Sequence, residues 1–312
     1  MDISSAGSNP EVDRWRARRS YDSLSFSVER VLAAKRASVS LVLPARDVED
    51  TIGGILDDIG PLRDAGVIDE LVVVDGTSRD ATPAIARNKG ALVYDEAELM
   101  ADFGPVQGKG DAMWRSLSVV SGDAVAFVDA DTENFGPHFV LGLIGPLLED
   151  RSIELVKGSY RRPFRVGDEL VPDGGGRVTE LLARPWINLH VPQLAGLVQP
   201  LAGEMAARRR LLEAISFPVG YGVEIGVLLD ALRLVGLDAL AQVDLGTRQN
   251  QHQPLRDLSA MAYAVLVAAE SRIGDRVGAW GQMLVPVDDG ITPRSVAVGE
   301  RPPLASLAKP AV

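Results

Sequence analysis

Ala124-Val-Ala-Phe-Val-Asp-Ala-Asp131 is a run of five apolar residues followed by two aspartates with one alanine between them. The run has strand length and is apolar at every position, so both of its faces must be covered by protein. A strand buried on both faces belongs to a parallel sheet flanked by helices. In an open sheet of that kind, ligands collect at the carboxyl ends of the strands, where the aspartates stand. The upstream sequence repeats the theme. Val39-Ser-Leu-Val-Leu43 is a β-rich run stopped by Pro44, and Thr51 to Leu62 has helical spacing. Glu70-Leu-Val-Val-Val-Asp75 is a second apolar run, followed by Gly76, by Asp80 as an N-cap and by Pro83 in the first turn of a helix. Ala91 to Tyr94 reads as a strand and Gly110 to Val120 as a helix. The alternation predicts an α/β fold with a mostly parallel, Rossmann-like sheet and helices on both faces.

Outside this region the pattern loosens. Residues 1–37 are polar and charged, and read as a loose arm leading into a short amphipathic helix around Phe26 to Leu32. Downstream, Glu154 to Tyr160 is a further strand and Arg165 to Gly176 a Gly/Pro-rich interruption. Helical spacing covers about 177–190, 207–215, 223–235 and 257–272. The tail from about Gly281 lacks periodicity and is expected to be extended. The division that follows is an arm (1–37), a regular α/β part (38–160), a less even part (161–280) and a tail (281–312). No internal repeat is visible.

Composition narrows the function. A net charge of −11 argues against a nucleic-acid binder, which needs a positive surface. With no cysteine, disulfides, thiolate catalysis and cysteine-ligated zinc drop out. Asp2, Glu11 and Asp13 stand where a signal peptide would carry basic residues, and no apolar stretch reaches membrane-spanning length. A cytoplasmic location is expected.

The chemistry-bearing residues fall at predicted strand and helix ends. Asp129 and Asp131 can share a divalent cation whose shell is completed by diphosphate oxygens; a solvated loop is the bland alternative. Lys109, between Gly108 and Gly110, can reach a phosphate as a point charge, or can be an exposed lysine in a flexible turn. Asp75 either binds base or ribose or caps its own turn. Gly174-Gly-Gly-Arg177-Val-Thr179 opens a helix with unpaired N–H groups, a forked cation and a hydroxyl, suited to an anionic acceptor. Glu224 follows Gly220-Tyr221-Gly222 at a helix start, where the dipole favours a carboxylate in any case. Arg248 to His252 follows the apolar run Ala241 to Leu245, so Asn250 or His252 can complete the metal shell or touch the acceptor.

Taken together, Val39 to Ile52, Leu71 to Asp80, Gly108 to Arg115 and Phe127 to Asp131 resemble the nucleotide-binding core of GT-A glycosyltransferases. Val156 to Pro163, Gly174 to Leu181, Gln199 to Glu204 and Gly220 to Gly226 are similar to the actinobacterial glucosyl- and mannosyl-3-phosphoglycerate synthases of glycosyltransferase family 81. The resemblance spans about 39–272. It implies retaining transfer of an α-linked hexose from a nucleoside-diphosphate sugar to the 2-hydroxyl of 3-phosphoglycerate, with Mg2+, or Mn2+ or Co2+ in its place, in a homodimer. It further implies that Pro44, Ala45, Asp75, Gly76, Lys109, Asp129, Ala130 and Asp131 hold donor and metal, with His252 as a further metal ligand. Gly176, Arg177, Thr179 and Asn250 would hold the acceptor, Tyr221 and Glu224 would meet the sugar hydroxyls, and Arg248 would lie near the diphosphate. Lys109, Asp131 and Glu224 are the implied catalytic residues. Arg46-Asp-Val-Glu49, Asp129-Ala-Asp131 and Asn250-Gln-His252 depart from the pattern usual in the glucosyl enzymes, all near nucleotide and metal. The expectation leans to the mannosyl branch with GDP-mannose, with UDP- or GDP-glucose as the alternative donor. A sugar-phosphate nucleotidyltransferase is a different class that shares sheet and metal. It normally carries a Gly-rich basic loop after the first strand, and Pro44 to Glu49 has no glycine. A non-catalytic nucleotide-sugar-binding protein is the other alternative.

Overall fold

The structure is a computed structural model and describes residues 9–166, 169–171, 175–248, 255–274, 281–287 and 290–307. In chain order the first half contains α1 (Pro10–Arg19), β1 (Ser20–Asp22), α2 (Val28–Ala34), β2 (Val39–Ala45), α3 (Glu49–Asp64), β3 (Glu70–Asp75), α4 (Thr82–Asn88), β4 (Leu92–Asp95), α5 (Lys109–Ser116) and β5 (Ala124–Phe127). The second half adds α6 (Pro137–Glu149), β6 (Leu155–Arg161), β7 (Phe164–Val166), β8 (Glu169–Val171), α7 (Arg184–His190), β9 (Met205–Arg208), α8 (Arg209–Ala214) and β10 (Phe217–Pro218). The chain then runs through α9 (Val223–Val235), β11 (Leu240–Thr247), α10 (Leu255–Glu270), β12 (Gln282–Val287), β13 (Gly290–Ser295) and β14 (Glu300–Arg301).

Eight strands form one sheet in the order β1-β11-β6-β9-β5-β2-β3-β4. All neighbours are parallel except β9, which runs antiparallel between β5 and β6. This is the mostly parallel GT-A-like sheet expected. Side chains alternate between two cores. Leu41, Leu43, Val73 and Ala126 pack with α3 and α6, while Val42, Val72, Val74 and Phe127 pack with α5 and α9. The order matters for function. From β2 the chain builds outward through β3 and β4, then returns to place β5 on the other side of β2. The carboxyl ends of β2 and β5 therefore flank a topological switch point, where an open sheet leaves a crevice. Asp47 (φ 51°) and Thr77 (φ 58°), just past β2 and β3, adopt left-handed backbone without being glycine. Cross-bonds from Asp47 N to Ser78 Oγ (2.9 Å) and from Arg79 N to Asp47 Oδ1 (2.8 Å) hold the two loops together. Such strain, about 1–3 kcal/mol per residue, persists where a site needs it.

Three local expectations are corrected. The loose arm contains helix α1, capped by the Asn9 side chain, with Glu11 and Asp13 at its positive end and Arg16, Arg18 and Arg19 at its negative end. Trp15 is fully buried and donates Nε1–H to Leu240 O (2.8 Å), while β1 pairs with β11. The pattern at 207–215 starts as the end of strand β9 before turning helical. The tail is partly structured: β12 pairs with β13, and β14 with β10. Buried Arg301 bonds Asp111 at 2.8 and 2.5 Å, and Trp114 Nε1–H donates to Pro302 O at 2.9 Å. Among the described residues, no helix is long and apolar enough to cross a membrane.

Candidate active site

Lys109 opens α5, and its position follows from two glycines. Gly108 caps the helix at φ 98°, a backbone angle that favours glycine, and a Cβ there would lie 3.1 Å from Gly220 Cα. At Gly110 a side chain would collide with Pro218 O and reach Val223 Cβ. The close approach brings the start of α5 against the start of α9. As a result Lys109 Nζ sits 3.1 Å from Glu224 Oε1 and 2.5 Å from Asp129 Oδ1. Arg248, just past β11, reaches the same aspartate from the other side. Its Nη1 is 2.9 Å from Asp129 Oδ2 and 3.0 Å from Glu204 Oε1, and its Nη2 is 2.8 Å from Asp131 Oδ1. Tyr160 Oη accepts from Arg248 Nη1 (3.1 Å) and Arg162 Nη2 (2.8 Å).

The electrostatics follow from the packing. Burial alone would lower the Lys109 ammonium, but Asp129 and Glu224 outweigh it and raise its pKa well above the ordinary lysine range. Burial would likewise raise Asp129, yet Lys109, Arg248 and Arg162 hold its carboxyl far below the usual carboxylate range. Both stay charged at any working pH. Beneath them Lys157 is buried and donates to Ala202 O. Burial pushes it down to about 8, with Lys109 adding to the effect against the pull of Glu224 and Glu204.

The predicted residues divide into those that meet here and those that lie alongside. Lys109, Asp129, Asp131, Glu224 and Arg248 form one ion-paired cluster. Pro44, Ala45, Asp75 and Gly76 lie at the neighbouring ends of β2 and β3, joined by Gly76 N–H to Ala45 O (2.7 Å). Asp75 is buried, accepts from Ser78 N through Oδ2 (3.2 Å), and leaves Oδ1 without a partner. An orphaned buried acceptor beside the switch point suits an N–H or O–H of a ligand better than it suits the apolar core. Ala130 O accepts from Thr51 Oγ1 (2.6 Å), which fixes the turn between the two aspartates. Tyr221 is 49% exposed on the turn before α9. Gly176, Arg177 and Thr179 open the helical segment that leads into α7, with Gly176 at φ 71° and Thr179 buried. Gly175 N–H donates to Arg162 O (2.9 Å), tying this turn to Arg162, Tyr160 and hence Arg248. A cleft of about 560 Å3 runs beside it, with Arg161, Arg162 and Arg184 in its wall. Gly174, Asn250 and His252 lie outside the described residues.

A divalent cation fits this donor set through Asp131. That side chain is 53% exposed and engaged through Oδ1, which leaves Oδ2 as a hard oxygen ligand at the sheet edge. Both Asp129 oxygens already face cations, so Asp129 acts here as the counter-ion of Lys109 and Arg248 rather than as an open ligand. Among the described residues, no group of three or more His, Cys, Asp or Glu is placed to hold a metal unaided. A bound diphosphate would have to supply much of the shell. Sequence reasoning also missed Glu204, Gly203 and Lys157. Glu204 is fully buried and pairs with Arg248, although neither of its oxygens accepts an aligned hydrogen bond. At Gly203 a Cβ would lie 2.6 Å from Asp129 Oδ2 and closer still to Lys109 Nζ. The usable signal was Ala202-Gly-Glu204 itself, a charged residue beside a glycine between apolar segments.

The sequence profile of glycosyl transferase family 2 matches residues 40–212. The glucosyl-3-phosphoglycerate synthase of Mycolicibacterium paratuberculosis is 47% identical over 266 residues, covering 84% of this chain and 80% of that protein. The enzyme of the same name from Mycolicibacterium smegmatis is 42% identical over 298 residues, covering 94% and 98%. Among solved structures, mannosyl-3-phosphoglycerate synthase from Rubrobacter xylanophilus superposes with a TM-score of 0.85 at 45% identity, over 95% of this chain and all of that one. Glucosyl-3-phosphoglycerate synthase from Mycobacterium tuberculosis, crystallised with Mn2+, UDP-glucose and phosphoglyceric acid, gives 0.81 at 41% identity, over 90% and 95%.

Proposed function

Because the chain belongs to the glucosyl- and mannosyl-3-phosphoglycerate synthases, glycosyltransferases with a family 2 domain, we propose that it transfers glucose from a nucleoside-diphosphate glucose to the 2-hydroxyl of 3-phosphoglycerate with retention. The observation that carries the reading is the Lys109–Asp129–Arg248 cluster at the switch point of the sheet. Glucose takes precedence over the mannose suggested by the sequence, because the glucosyl relatives match at 42–47% over most of their length. Mannose stays as the second reading on the strength of the Rubrobacter similarity.

In this reading residues 38–160 bind the donor. Asp75 receives an N–H or O–H of the nucleoside, and Pro44, Ala45 and Gly76 shape the strand ends around it. Asp131, joined by Asn250 or His252, would hold Mg2+ or Mn2+, which when bound neutralises charge on the diphosphate. Lys109 needs no proton transfer to act. Its ammonium is fixed by two carboxylates and offers a permanent point charge to the departing phosphate. Arg248 adds a second cation there. Glu224 and Tyr221 orient sugar hydroxyls, while Gly176, Arg177 and Thr179 take the acceptor's phosphate or carboxylate. The acceptor hydroxyl then attacks the sugar from the face the diphosphate leaves, and the diphosphate takes the proton. The alternative is double displacement through Glu224, and trapping a glycosyl–Glu224 adduct would decide for it. The reading includes a cytoplasmic homodimer, which light scattering on the purified protein tests.

The experiment is turnover with 3-phosphoglycerate and Mg2+ or Mn2+, comparing UDP-glucose, GDP-glucose and GDP-mannose. The reading expects the highest kcat/KM with a glucose donor. GDP-mannose as the fastest donor selects the second reading, and failure of all three donors beside success with another acceptor refutes both.

A further inference from the structure

At the other end of the sheet a cleft of about 550 Å3 opens where β2 and β5 begin and β9 ends. Its wall carries Arg36, Arg151, Arg208, Arg209 and Arg210. From Ala124 at this edge to Asp129 at the catalytic edge the chain runs through β5 and two further residues, five steps that span roughly 17 Å when extended. A small molecule here cannot touch the cluster described above.

Helix capping accounts for only part of the arrangement. Arg209 is fully used, by Glu213 (2.7 Å), Leu117 O (2.9 Å) and Val120 O. Arg210 forks onto Glu154. Arg210 Nη1 stays unengaged, and the other three retain donors as well. Arg208 gives Nη2 to Leu147 O (2.5 Å) and Nε to Ile153 O (3.4 Å), which leaves Nη1 unengaged. Arg36 gives only Nη1, to Ala33 O and Lys35 O. Arg151 has no partner among the described residues and is exposed. The two carboxylates of the wall, Asp123 and Glu213, are held by Ser38 and Arg209. Five guanidinium groups against three carboxylates, Asp123, Glu213 and the Glu154 that pairs with Arg210, leave a surplus of two positive charges, in a chain whose net charge is −11. Burial pushes the Arg208 guanidinium below its ordinary range, with Arg210 and Arg151 adding to the effect against the pull of Glu154 and Asp123. A positive cluster left uncompensated inside an acidic protein is a place where an anion lowers the energy. Guanidinium forks match phosphate oxygens in pairs, and the volume is that of a metabolite site.

We propose that this cleft binds a small phosphate-bearing anion, at a site separate from both donor and acceptor. The test is calorimetric titration of the full chain with inorganic pyrophosphate, in EDTA to keep metal-dependent binding out of the catalytic site. Salt is kept at about 50 mM, where screening is weak. The double variant Arg36→Ala/Arg151→Ala, which alters two exposed side chains, should weaken binding at least tenfold, the loss expected for one charge-assisted contact. Its glycosyl transfer without pyrophosphate should match the unaltered chain. Arg177→Ala, in the acceptor turn, should keep the affinity. Unchanged affinity in the double variant, its loss in Arg177→Ala, or no binding by the unaltered chain at about 10 mM pyrophosphate, too weak for any site of this charge, would each overturn the proposal.

Discussion

Gly203→Ala is expected to disable the enzyme while leaving the fold standing. Gly203 does not occupy left-handed backbone, so alanine is sterically allowed there by the main chain. The added methyl, however, would sit 2.6 Å from Asp129 Oδ2 and 2.8 Å from Oδ1, with Lys109 Nζ nearer still. Ordinary contact begins at 3.4 Å, so the carboxylate must retreat by about 0.8 Å and the ammonium by more. Asp129 has no slack, because Arg248 holds the same Oδ2 at 2.9 Å and Lys109 holds Oδ1 at 2.5 Å. Displacing a catalytic charge by about 1 Å costs on the order of 100-fold in rate. Lys109 is a flexible chain end, so the same clash should lower thermal stability by only a few degrees, corresponding to about 1 kcal/mol. The assay pairs initial rates of nucleoside-diphosphate release with a melting curve. Activity within about threefold of the unaltered chain would refute the claim that these two charges are positioned for catalysis. A collapse of the melt in step with activity would show a structural role instead.

Other perturbations separate the parts. Lys109→Met should lower kcat by about 100- to 1000-fold at saturating donor, as loss of one preorganised charge does elsewhere, and steady-state kinetics measures it. Asp131→Asn should raise the metal concentration for half-maximal activity at least tenfold, read by titrating Mn2+ into chelator-treated protein. Lys157→Met bears on stability against pH. The folded pKa of Lys157, about 8, lies below its ordinary value of 10.5. Between these values the unfolded chain holds a proton that the folded chain lacks. The lysine's unfavourable contribution is therefore complete below pH 8 and fades as pH rises to 10.5. Urea denaturation from pH 7 to 10.5 should show a rise in stability, of order 3 kcal/mol at most, that the methionine variant lacks.

The parallel sheet was legible because β2, β3 and β5 are apolar at nearly every position, a pattern that only a strand covered on both faces tolerates. The elements misread are those stabilised from a distance. In α1 the two buried residues are Val12 and Trp15, too few to give a helical stripe, and the helix is held by a bond from Trp15 to Leu240. β9 joins α8 without a break, so 207–215 reads as one helical run until the pairing of β9 with β5 and β6 is seen. The ordered part of the tail depends on Arg301 finding Asp111, a contact 190 residues away in sequence. The site divides the same way. Asp129, Lys109 and Glu224 were found because they follow strands or glycines. Lys157 looks like an ordinary charge in the sequence, and only its burial marks it out.

A complex of the protein with Mn2+, UDP and 3-phosphoglycerate tests the account at its centre. The ion is expected on Asp131, a diphosphate oxygen within about 3 Å of Lys109 or Arg248, and the acceptor beside Gly176 and Arg177. Nucleotide bound elsewhere, with Lys109 still locked between Asp129 and Glu224 and no phosphate near it, would contradict it.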